Sequence, residues 1–128
     1  MTANRIPLSE LERGIPFEQR YERAAELLTS VGMRDRTAFR PSQLSGGQRQ
    51  RVAVARAVAN SPSVILADEP TGNLDTQTGV DILRLVSDLH VQLGSTVLIV
   101  THDMNVAAIC QRTVTIRDGR IVADVRNS

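Results

Sequence analysis

Three places in the sequence combine residue types and spacings that suit phosphate chemistry. Two acids, Asp68 and Glu69, end the short apolar run Val64-Ile65-Leu66-Ala67. A carboxylate at the mouth of a buried strand must be paired, hydrated or metal-bound, because an isolated buried charge costs too much. In phosphoryl transfer an Asp so placed holds Mg²⁺, commonly through water, and an adjacent acid orients or activates the attacking water. Taken singly, Asp-Glu-Pro is more often a capped loop. A second apolar run, 96–100, ends in Thr101-His102-Asp103. An imidazole there can donate to a terminal phosphate or to a water, although a lone His is more often a surface or cap residue. His90, at the edge of a helical apolar face, is read as that plainer kind. The third place is Ser45-Gly46-Gly47-Gln48. Ser45 can cap the helix that follows, and two glycines let backbone N–H groups approach an anion closely, so the helix N-terminus can grip a phosphate. The plainer alternative is a Ser-capped helix after a glycine turn.

The surrounding pattern supplies the elements that must position these residues. Residues 1–15 mix Pro7, Gly14 and charges without sustained period and read as loop with at most one turn of helix. Tyr21, Ala24, Leu27, Leu28 and Val31 recur at helical spacing before Gly32, which predicts an amphipathic helix over about 17–31. A loop around Pro41 leads to Ser45 and to a run without a breaker until Pro62. On that second helix Arg49, Arg56 and Asn60 share one stripe, while Val52, Val54, Ala55, Val58 and Ala59 cover most of the rest, as expected of a helix packed on more than one side. Runs 64–67 and 96–100 read as buried parallel strands, separated by an amphipathic helix over 80–93 that Gly94 ends. A short helix around 104–111 follows. Residues 113–117 and 120–124 flank Asp118-Gly119, a strong hairpin signal. Strands alternating with helices imply crossover connections in one parallel sheet, with ligands gathered outside the C-terminal strand ends. Asp68, Glu69, His102 and Asp103 all fall there.

These residues carry a family resemblance. LSGGQRQRVAVARA resembles the signature motif and helix of the ATP-binding-cassette (ABC) ATPases, VILADEP their Walker B strand, TGNLD their D-loop and THD their switch-histidine loop. All four stand in the family order within about sixty residues. The resemblance runs from about Arg20 to Val122, and the wording PTGNLD is similar to the lipoprotein-release, macrolide-export and cell-division group. It implies an α/β, partial P-loop NTPase fold, with residues 1–43 as the remainder of a helical subdomain. Residues 44–128 would hold the signature helix, the Walker B and switch-histidine strands and a C-terminal β-hairpin. It implies ATP and Mg²⁺ as cofactors and a head-to-tail dimer with a second ABC ATPase domain. Ser45, Gly46, Gly47 and Gln48 would contact ATP bound to the opposite domain. Asp68 would help hold Mg²⁺, Glu69 would polarise the attacking water, His102 would contact the γ-phosphate and Asp75 would communicate across the dimer. Transmembrane permease subunits would be the other partners, placing the protein in the cytoplasm at the inner face of the membrane.

Composition narrows the classes and exposes a departure. Fifteen Lys and Arg against fourteen Asp and Glu give a net charge of +1, with basic and acidic residues intermixed, so no nucleic-acid footprint is visible. The aromatic fraction is 2%, so the core must come from Val, Ile, Leu and Ala. Cys110 is the only cysteine, has no metal-ligand neighbour and reads as a small buried hydrophobe in a reducing compartment. No run approaches the roughly 18 apolar residues of a membrane span. No GxxxxGK[ST] phosphate loop occurs and the sequence contains no Lys. The expectation is therefore a chain from which roughly the N-terminal half of the cassette is missing, and which hydrolyses no ATP alone. A non-transport ABC ATPase and a catalytically inert fragment that regulates intact subunits are the alternatives.

Overall fold

The computed structural model describes residues 17–33 and 45–127. The loop expected over residues 1–15, the loop around Pro41 and Leu44 lie outside the described residues. Helix α1 spans Phe17–Ser30. Its inward face is the predicted one: Ala24, Leu27, Leu28 and Val31 are buried. Tyr21 is the exception and is exposed. The Arg23 guanidinium, nearly opposite Tyr21 on the helix, donates to Ala59 O (3.2 Å) at the end of the next helix. Gly32 ends α1 as expected, with φ +76°. The amide of Met33 donates to Leu28 O (2.7 Å) and that of Gly32 to Thr29 O (3.0 Å), which is the Schellman closure of a helix. Met33 is then folded back into the core beside Leu28.

Helix α2, Gly46–Val58, lies against α1. Arg51 of α2 donates to Val31 O (3.0 Å) at the end of α1, while Arg23 of α1 caps the end of α2. The two helices therefore run antiparallel, and each C-terminal carbonyl end receives a guanidinium from the other. Ala55, Val58 and Ala59 join the α1 residues and Leu89 in one core. As expected, α2 is packed on more than one side, touching both α1 and the helix Thr76–Leu93, with Val52 and Val54 partly buried against the same core; Ala53 and Ala57, outside that set, are exposed. They line an open groove beside Leu66 and Ala67.

Strands β1, Val64–Asp68, and β2, Thr96–Val100, pair in parallel with Val64 opposite Thr96 and Asp68 opposite Val100. Helix α3, Thr76–Leu93, connects them. Ile82, Val86 and Leu89 are its buried positions. It starts four residues earlier than the periodicity predicts, because Asp75 caps it by accepting from Thr78 N. Gly94 closes it with φ +68° and nothing within 4 Å of where a Cβ would stand. Ser95 is buried, and its hydroxyl donates to Pro62 O (2.7 Å), while its own carbonyl meets His90 Nδ1. The expectation of buried strands is corrected here. Side chains alternate across the sheet, so Ile65, Ala67, Val97 and Ile99 are half-buried whereas Val64, Leu66, Leu98 and Val100 are 53–73% exposed. Among the described residues nothing covers that second face.

Helix α4, Met104–Ile109, leads to an antiparallel hairpin of β3, Arg112–Arg117, and β4, Arg120–Arg126. Asp118 and Gly119 both have positive φ (+50° and +74°), as a two-residue type I′ turn requires. The register slips by one between Thr115 and Ile116, leaving Val122 as a bulge residue. Arg112 grips Asp124 through two parallel bonds (2.9 and 2.7 Å). Cys110 is half-buried rather than fully buried, donates weakly to Val106 O, and burial pushes its thiol up.

Gly94→Ala isolates the conformational term, because the added methyl meets nothing. A left-handed Ala costs about 1–2 kcal/mol, so the amides of the last turn of α3 should exchange with solvent about five- to thirty-fold faster. Gly94→Asn should lose less. Hydrogen exchange resolved by NMR or mass spectrometry checks both.

Candidate functional site

Parallel pairing brings the ends of β1 and β2 side by side, and this sets Glu69 against Thr101 and His102. The ladder continues one bond past β1, from Glu69 N to Val100 O (2.8 Å), before the chain turns sharply at Glu69, whose φ is +46°. A non-glycine residue held there is costly and is kept only where its surroundings fix it. Three hydrogen bonds fix it: the Glu69 carboxylate accepts from Thr101 Oγ1 (3.1 Å), from His102 N (2.9 Å) and from His102 Nδ1 (2.7 Å). Thr101 in turn accepts from Asp103 N (3.0 Å), and Asp103 caps α4 through Asn105 N (2.8 Å). The side-chain bond from His102 is the main cause that lowers the Glu69 pKa from its ordinary value.

This geometry defines what the pair can do. With Nδ1–H donating to Glu69, a neutral His102 presents Nε2 as an acceptor, whereas an imidazolium presents it as a donor. The ring is 90% exposed and the Glu69 side chain 36% exposed, so both reach solvent at the strand ends. A carboxylate with a filled set of donors on one side stays ionised and can accept a proton or orient a water on the other. Asp68, one residue earlier, is exposed on the strand itself. Among the described residues no three His, Cys, Asp or Glu side chains gather as a metal cage. Mg²⁺ needs none, since it keeps several waters and binds through one or two carboxylates together with phosphates. A lone exposed Asp68 fits that habit.

A second cluster forms where α2 and α3 begin. Ser45 Oγ accepts from Gln48 N (3.1 Å) and Gln48 Oε1 accepts from Ser45 N (2.9 Å), a reciprocal capping box. Both side chains keep donors after this, the Ser45 hydroxyl hydrogen and the Gln48 amide hydrogens. Asp75 accepts from Thr78 Oγ1 (2.5 Å) and Thr78 N (3.2 Å), which lowers its pKa, the Thr78 hydroxyl being the main cause. The two helix starts touch: a Cβ built on Gly46 would lie 3.5 Å from Leu74 Cδ2, and one on Gly47 would overlap the Thr78 methyl. Two positive helix ends therefore stand together with several unspent donors. The structure thus groups Glu69 with His102 and groups Ser45, Gly46, Gly47 and Gln48 with Asp75, the turn at 69–75 joining the groups. Sequence reasoning missed Thr101 and Thr78. The signals were available: a hydroxyl beside His102, and an Asp-x-x-Thr spacing that suits a cap.

A family model described as ABC transporter matches residues 2–72, more than half of the chain. The chain belongs to the ABC transporter family. Among curated members of that family, it is 55% identical over 115 residues to the macrolide export ATP-binding/permease protein MacB of Vibrio parahaemolyticus, covering 90% of this chain and 17% of that protein. It is 56% identical over 119 residues to the MacB of Bartonella henselae, covering 93% and 18%. The chain thus spans less than a fifth of these curated ABC relatives. Two solved ABC cassettes superpose on all of it at a TM-score of 0.84, with 57% of their own length covered. One is a dimeric post-hydrolysis state bound to ADP and Pi, 39% identical; the other is a dimeric bacterial ABC transporter cassette, 40% identical. The fold is accordingly α/β and that of the P-loop ABC ATPases, part of a cassette. No helix among the described residues is long and apolar enough to cross a membrane.

Proposed function

We propose that this chain is the signature-bearing part of the ATP-binding subunit of an ABC transporter, coupling ATP binding and hydrolysis to transport through permease partners. The observation that carries the reading is the Glu69 carboxylate held between Thr101 and His102 at the ends of two parallel strands, where an attacking water and a terminal phosphate would meet. In this reading Glu69 polarises the water, His102 contacts the γ-phosphate and Asp68 shares Mg²⁺ with waters and phosphate oxygens. Ser45, Gly46, Gly47 and Gln48 offer the donors of a capped helix start to ATP held by a second cassette, and Asp75 relays the state of that interface. Residues 1–43 belong with the helical subdomain and 44–128 with the signature helix, the two strands and the hairpin. The dimeric cassettes with the same fold support a second cassette as partner, and the ADP and Pi in one of them support the nucleotide. Permease association would hold the subunit at the cytoplasmic face.

The experiment is nucleotide-dependent dimerisation. A complete cassette can be made by fusing this chain behind the N-terminal part of a macrolide-export relative. It should dimerise with a non-hydrolysable ATP analogue and Mg²⁺ and stay monomeric with ADP, as read by light scattering. Ser45→Arg should abolish that dimer, since the long side chain fills the place of the incoming phosphates, while each subunit still binds nucleotide. Equal dimerisation of both proteins would overturn the assignment of the Ser45 turn.

A further inference from the structure

We propose that Thr78 is a positioning residue that locks the Ser45–Gln48 turn to the Asp75 cap, its hydroxyl anchoring the carboxylate and its methyl seated directly on Gly47. The inference rests on the reading above, in which the turn and Asp75 serve one interface, and adds a residue to which that reading gives no part. Its first support is the requirement for glycine at 47. Among the described residues Gly32, Gly94 and Gly119 are the glycines with positive φ, and Gly47 is not one of them. Backbone conformation therefore does not demand a glycine there. Space does: a Cβ on Gly47 would overlap Thr78 Cγ2, and the next nearest atom, Thr78 Cβ, stands at 3.8 Å. One methyl group sets the requirement.

The second support is the other end of the same side chain. Thr78 Oγ1 donates to Asp75 Oδ1, and the Thr78 amide donates to Asp75 Oδ2, so both carboxylate oxygens are tied to this residue. With Oγ1 committed to Asp75, the β-branch has one place left for Cγ2, and that place is the first turn of α2. Serine would keep the anchor and lose the seat. Valine would keep the seat and lose the anchor. Only threonine among the small residues provides both, so a shift of Asp75 is carried to the Ser45 turn through a single stiff side chain rather than through the length of either helix.

The test is a set of variants in the complete cassette. Gly47→Ala should lower ATPase kcat/KM by about tenfold or more, as overpacking of a tight contact does. Gly47→Ala with Thr78→Ser should recover to within about threefold of Thr78→Ser alone, because the new methyl then meets nothing nearer than ordinary contact. Gly47→Ala with Thr78→Val should not recover. Thr78→Val by itself should raise the Asp75 carboxyl toward its ordinary range in an NMR titration, a readout that does not depend on whether Gly47→Ala folds. Absence of rescue by Thr78→Ser, rescue by Thr78→Val, or an unmoved Asp75 titration would overturn the proposal. The same rescue pattern is measurable as thermal midpoints. If Glu69→Gln left hydrolysis intact while the rescue held, the functional reading would fall and the positioning role would stand.

Discussion

Glu69→Gln in a complete cassette is expected to lower ATP turnover by a factor on the order of 10² to 10⁴, the usual worth of a positioned general base, with nucleotide affinity unchanged. The substitution is nearly isosteric. Its amide oxygen can still accept from His102 N and Nδ1, and Thr101 Oγ1 can still accept from Asp103 N, so the strand ends keep their arrangement. What is lost is the negative charge that polarises a water. His102→Ala removes the partner that orients the carboxylate and should also nearly abolish hydrolysis while leaving binding intact. Steady-state turnover and equilibrium binding of a fluorescent ATP analogue separate the two quantities. Turnover within threefold of the parent, or loss of nucleotide binding in both variants, would contradict the roles given to this pair.

The second large effect concerns residues 1–128 as an isolated polypeptide. Val64, Leu66, Leu98 and Val100 face outward from a sheet in which β1 and β2 pair only with each other among the described residues. Fully burying a Leu or Val side chain is worth about 1.5–3 kcal/mol, and half or more of that contribution is missing for each of the four, which are 53–73% exposed. Unpaired outer strand edges add a template for association. The isolated chain should therefore melt broadly, aggregate at micromolar concentration, and regain a cooperative transition when the N-terminal part of a related cassette is supplied in trans. Leu66→Thr with Leu98→Thr should reduce aggregation in light scattering without loss of helical circular dichroism, because neither side chain touches the buried α1–α2 core. A sharp, reversible transition of a monodisperse monomer would refute the expectation and favour the regulatory-fragment alternative.

Periodicity and glycine stops were enough to place α1, the end of α3 and the hairpin, since each is decided by local chemistry: Gly32 and Gly94 adopt the left-handed conformation that ends a helix, and Asp118-Gly119 forms the tight turn. The strand-end acids and His102 were legible for a different reason. Ionisable residues directly after apolar runs conflict with burial unless something uses them. The exposure of Leu66 and Leu98 was not legible, because a two-faced apolar strand reads the same whether or not its second face is covered. The start of α3 was missed because Asp75 was read for communication and not for its capping oxygen. Thr78 and Thr101 act through one hydroxyl each, which leaves no trace in hydrophobic periodicity.

The paired arginines across α1 and α2 have a mechanical consequence. Arg23 and Arg51 fasten the helices at opposite ends, so neither can slide along the other without breaking a charge-assisted bond to a carbonyl. Two rods pinned at both ends behave as one strut. The thirteen residues of α2 make it about 20 Å long, and its forward tip is the Ser45 turn. A torque applied to α1 would therefore be carried along this strut to the Ser45 turn, where the contact between Gly47 and Thr78 would hand it on to the start of α3.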